Sequence, residues 1–206
     1  MLSTKFPRKT LLQVAAGAIA LVATGALAEI GPSADDGQIA SLPTWRTVSL
    51  GTFATSYSLM AALDDAHISV GELADEAMHR PSFAFAKANS DVDLAMLSAA
   101  QLGVGKNGAS LRDILARARR LGFDLCPPEV AARLRLQYLE QPVGEVLDVA
   151  MAPITTYGGY PVGFTLANGG AGLMLIGYIL NVDATVPQER KFVFARPMRV
   201  ARPMDR

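Results

Sequence analysis

The chain has 206 residues, of which 50% are hydrophobic and 18% charged, and its formal net charge is zero. This composition excludes a disordered chain, and a single cysteine excludes an intrachain disulfide. Two histidines leave little material for a His/Cys metal cage, and no run after the N-terminal segment is long and apolar enough to cross a bilayer.

The first 28 residues read as an export signal. Lys5, Arg8 and Lys9 form a positive start without any acid, and residues 10–27 are apolar and uncharged. Ala26-Leu27-Ala28 supplies the small–x–small pattern, so cleavage is expected after Ala28 and the chain is expected to be exported, periplasmic or secreted. A retained anchor is the alternative, but Gly17, Gly25 and the alanines make the run weakly hydrophobic. Arg8-Lys9-Thr10-Leu11-Leu12 resembles a twin-arginine signal with its second arginine replaced, which favours the general secretory route. Removing residues 1–28 leaves 178 residues with 16 basic and 19 acidic side chains, net −3, enough for one core-bearing domain. Residues 190–206 carry +5 of that charge and residues 29–189 carry −8.

Residues 29–43, rich in Gly, Ser, Pro and Asp, read as a flexible lead-in. A strand is predicted over Trp45–Leu50, helices over Ser56–Ala66 and Gly71–His79, and a buried strand over Val92–Leu97. Ser110–Leu121 is the clearest helix. Ser110 is the N-cap, with Asp113 three residues on. Leu111, Ile114, Leu115, Ala118 and Leu121 make one apolar stripe, Arg117, Arg119 and Arg120 suit the last turn, and Gly122 stops it. From Leu134 the period becomes two, with Leu134, Leu136 and Tyr138 alternating with Arg135 and Gln137. Strands follow over Val146–Met151, Val162–Leu166, Leu173–Leu180 and Phe192–Phe194, and Asn168-Gly169-Gly170-Ala171-Gly172 predicts a hairpin. The expected fold is α+β. Short helices of the N-terminal half, the leucine stripe among them, pack on a mainly antiparallel sheet formed largely by the C-terminal half. One domain is expected over 44–197, followed by a basic tail over 198–206.

The stretch Leu121-Gly122-Phe123-Asp124-Leu125-Cys126-Pro127-Pro128-Glu129-Val130, running on to Leu134-Arg135-Leu136-Gln137-Tyr138, resembles a family of small, uncharacterised bacterial proteins. Asn168-Gly169-Gly170-Ala171-Gly172-Leu173 and Phe192-Val193-Phe194-Ala195-Arg196-Pro197 fit the same pattern, and Met174 departs from it where tryptophan is expected. The resemblance covers about residues 45–197 and implies one folded unit. It implies no activity, cofactor or catalytic residue.

Several motifs carry possible chemistry. Gly103-Val104-Gly105-Lys106-Asn107-Gly108 matches a dinucleotide-binding glycine loop, with Asp124 near where a ribose-binding acid falls. The antiparallel strands that follow are not the βαβ repeat that such a loop serves, so a glycine-rich turn is favoured. Glu72, Asp75, Glu76 and His79 share one helical face, and Glu76-x-x-His79 has the spacing of carboxylate-bridged di-metal sites, but the second copy that those sites need is missing. Asp91 with Asp93, and Asp64 with Asp65, are carboxylate pairs of the kind that hydrolysis uses, although most domains have such pairs. His67 and His79 have no G-x-S-x-G partner. Cys126 reads as a buried, inert thiol.

The expected function is that of a non-catalytic, exported binding domain of the bacterial cell envelope, recognising an envelope component or a protein partner. The alternatives are a small envelope hydrolase using carboxylates and a nucleotide binder through the 103–108 loop. No catalytic residue, cofactor or metal is assigned, and no nucleic-acid partner is expected. Arg196, Arg199, Arg202 and Arg206 lie in a segment that its prolines predict to be extended, and are candidates for contact with an anionic membrane surface. Sedimentation with anionic vesicles should show binding that weakens at high salt and is lost without residues 197–206; equal, salt-insensitive binding by both forms would make the segment a loose end.

Overall fold

The computed structural model describes residues 36–197. Their architecture is α+β: five helices and a seven-stranded, mostly antiparallel sheet, with a separate two-stranded ribbon. Among these residues no helix is long and apolar enough to cross a membrane. The export signal and its cleavage site lie outside the described residues.

In chain order the elements are α1 (Asp36–Ala40), β1 (Arg46–Leu50), α2 (Ser56–Asp65), β2 (Ser69–Val70), α3 (Glu72–Met78), β3 (Ser90–Ser98) and β4 (Ala109–Ser110). Then come α4 (Leu111–Arg120), α5 (Glu129–Gln137), β5 (Val146–Thr155), β6 (Pro161–Asn168), β7 (Leu173–Ile179), β8 (Thr185–Val186) and β9 (Lys191–Ala195). The sheet runs β1-β3-β9-β5-β6-β7-β2, and β4 pairs with β8 apart from it. Only β5–β9 and β2–β7 pair in parallel.

Alternation along the strands builds a core on each face. Val193 and Ala195 of β9 face α2, α3 and α5, together with Leu94, Leu147, Val149, Phe164 and Leu175. Phe192 and Phe194 face the other way, onto Leu111, Ile114 and Ala118 of α4 and Leu121 at its C-cap. The predicted leucine stripe thus lies on the sheet, with Leu115 half-buried at its margin. The α4 caps follow the sequence: Ser110 Oγ accepts the Asp113 amide at 3.1 Å, and Gly122 takes φ +86°. The hairpin also forms, with Asn168 paired to Leu173 across Gly170 at φ +85°.

Two segments depart from the sequence reading. The alternation at Leu134–Tyr138 is not a strand but the last turns of α5. Pro127 and Pro128 suit a helix start, and Val130, Ala131, Leu134 and Tyr138 make a helical stripe that the short alternating stretch conceals. Arg135, outward in a strand, is instead fully buried; it donates to Gln141 Oε1 and to the Tyr138 carbonyl, and burial lowers its pKa to about 10. The lead-in is not wholly irregular either. It contains α1, whose Asp36 pairs with the buried Arg117 of α4.

Candidate functional site

A recess of about 280 Å³ opens on the α4 face of the sheet, between the start of α4 and residues of β5, β7, β8 and β9. Its apolar walls come from Leu111, the first residue of α4, and from Ile179, Val186, Pro187 and Phe192. Its polar floor is Asp148, Arg190 and Tyr178.

The register assembles that floor. Asp148 of β5 stands opposite Thr165 of β6 and beside Phe192 of β9. Leu147 and Val149 point into the other core, so Asp148 faces α4's side. Its carboxylate accepts from Thr165 Oγ1 and takes Nε and Nη2 of Arg190, both at 2.6 Å. The Asp148 side chain is 7% exposed and that of Arg190 34%, so the pair sits half inside the protein. The hydrogen bonds that it donates to Asp148, against the cost of burial, hold the Arg190 guanidinium above its ordinary pKa. Tyr178 lies over Gly163, where a Cβ would come 3.2 Å from the ring. Burial first, then the charge of Asp148, push its phenol pKa upward. Arg190 and Pro187 also wall a second, shallower recess with Glu145 and Lys191, themselves paired at 2.7 Å.

None of these residues was singled out from the sequence. Asp148 carried a signal, since it is the lone charge within Val146-Leu147-Asp148-Val149-Ala150-Met151. Arg190 lies in the basic stretch 190–206, yet it belongs to the fold.

The other candidates fall elsewhere. Gly103 and Gly108 take positive φ in a turn, and Gly108 packs against Thr185 and Val186 of β8. The first amides of α4, which a pyrophosphate would use, already donate: Leu111 to the Ala184 carbonyl, Arg112 to Val182, and Asp113 to Ser110. On α3, Glu76 Oε1 accepts the Tyr157 amide at 2.6 Å, while His79 Nδ1 contacts the Asp75 carbonyl at 2.9 Å and its carboxylate at 3.2 Å. No group of three metal-ligating side chains stands together among the described residues. Asp91 and Asp93 share a cleft with Asp124, but each accepts a hydroxyl from β1, from Ser49 at 2.7 Å and Thr47 at 2.6 Å. Asp64 and Asp65 end α2. Cys126 is 3% exposed, its Sγ lies 3.6 Å from the Val193 carbonyl, and burial pushes its pKa far up, as an inert thiol requires. Arg196 donates to the Leu42 carbonyl and its guanidinium lies 5.6 Å from the Phe123 ring centre, so it is spent on the fold. Arg199, Arg202 and Arg206 lie outside the described residues.

No family model, curated protein or solved structure matches this chain.

Proposed function

We propose that this chain is an exported, non-catalytic binding domain of the bacterial cell envelope, with the recess over Asp148 and Arg190 as its ligand site. The observation that carries the reading is a concave, largely apolar pocket with a few convergent polar groups on its floor, the usual build of a small-ligand site. The signal pattern of residues 1–28 supports export. Among the singled-out motifs, the described polar groups are turned on one another: glycines on a turn, carboxylates on hydroxyls and amides, His79 on Asp75.

Amide NMR of the signal-free chain against a library of small fragments tests this. Perturbed amides should cluster at Tyr178, Ala184–Val186 and Phe192. Clustering at Asp91, Asp93 and Asp124, together with hydrolytic turnover abolished by Asp93→Asn, would replace the reading with the carboxylate hydrolase.

A further inference from the structure

The floor of the recess offers hydrogen-bond donors that the protein leaves unused. A guanidinium has five N–H groups. Arg190 spends two on Asp148, and no other described group takes the remaining three. The bidentate pairing fixes the guanidinium plane, so those donors are already oriented before anything binds. The Tyr178 hydroxyl has no hydrogen-bond partner among the described residues, and its raised pKa keeps it a phenol, hence a donor, at every physiological pH. Acceptors are nearly exhausted by comparison: Asp148 receives two bonds from Arg190 and one from Thr165, and Asn181 Oδ1 takes the Asp183 amide at 3.0 Å. A floor of donors beneath apolar walls is matched by a ligand with an acceptor head and an apolar body. The volume of about 280 Å³ equals that of about nine liquid waters, and so fits about ten non-hydrogen atoms.

We propose that the recess binds a small amphipathic carboxylate, its head against Arg190 and Tyr178 and its chain against Leu111, Ile179, Val186 and Phe192. This deepens the reading above and rests on the recess being the ligand site. A carboxylate is favoured over a neutral acceptor because it accepts from a guanidinium and a hydroxyl together and gains charge assistance from the first. Asp148 already balances Arg190, so the ligand's charge is only partly compensated and a ligand this small should bind with a dissociation constant on the order of 0.1–1 mM.

The probes are octanoate, with ten non-hydrogen atoms, and octan-1-ol, which lacks the charge. Each is titrated into the ¹⁵N-labelled, signal-free chain while the Arg190 Nε–H and the amides of residues 184–192 are followed. Octanoate should shift both saturably, octanol should bind at least tenfold more weakly, and Tyr178→Phe, which keeps the ring on Gly163, should weaken octanoate severalfold. Equal binding of the two probes, or no effect of Tyr178→Phe, overturns the carboxylate assignment and leaves the recess as a ligand site. No shift at the recess with either probe, while fragments perturb amides elsewhere, overturns both readings together.

Discussion

Gly177→Ala is expected to lower the stability of the domain by about 3 kcal/mol, a fall of roughly 6–12 °C in Tm for a chain of this size. Gly177 lies in β7 beneath the first turn of α3. A Cβ there would lie 2.5 Å from the carbonyl carbon of Leu73 and no farther from the amide nitrogen of Ala74. Both are backbone atoms and cannot rotate aside. The helix would have to lift, drawing Ala74, Ala77 and Met78 out of the core that they now fill. Gly105→Ala is the matched control, since its Cβ meets nothing within 4 Å and its φ is not positive; it should stay within about 1 kcal/mol of the parent. Urea unfolding of the three proteins decides it. A Gly177→Ala protein as stable as the parent would mean that α3 does not sit on β7 as described.

Glu129→Ala should cost about 3 kcal/mol, and Glu129→Gln about 2 kcal/mol. Glu129 is fully buried in the first turn of α5, and its two oxygens accept separate loop amides, Gly51 at 3.0 Å and Ala86 at 2.8 Å. These bonds are charge-assisted, and the helix N-terminus favours a negative charge at that position. They hold together the loop after β1 and the loop after α3, which have no other shared anchor of this kind among the described residues. Alanine leaves both half-buried donors without their acceptor. Glutamine keeps one acceptor but turns its NH₂ toward an amide N–H. Hydrogen exchange gives a reading beyond global stability: the Gly51 and Ala86 amides should exchange faster in both variants. If stability falls while those two amides keep their protection, the loss has another origin.

The contrast between α4 and α5 explains what was legible beforehand. Everything that defines α4 is local: Ser110 and Asp113 at its start, a stripe repeating every three or four residues, three arginines and Gly122 at its end. α5 lacks a side-chain cap, begins on Pro128, and ends in Leu-Arg-Leu-Gln-Tyr, which satisfies a period of two as readily as one of 3.6. Six strands were legible as short apolar runs, whereas the two-residue β2, β4 and β8 are too short to leave a pattern. The order of the strands was not legible, since parallel pairing of β5 with β9 joins residues more than 40 positions apart and leaves no local trace. The recess depends wholly on that pairing. Asp148 and Arg190 meet only because Leu147 lies in register with Lys191.

The place of β9 also bears on time. It enters between β3 and β5, bonding antiparallel to the first and parallel to the second, and lends alternate side chains to both cores. Until it is made, β1–β3 and β5–β6–β7–β2 are two separate sheets, each with an open edge facing where the missing strand belongs. At ordinary synthesis rates of about 5–20 residues per second, β3 waits roughly 5–20 s for its partner. That interval is the one in which the two bare edges need shielding from neighbouring chains.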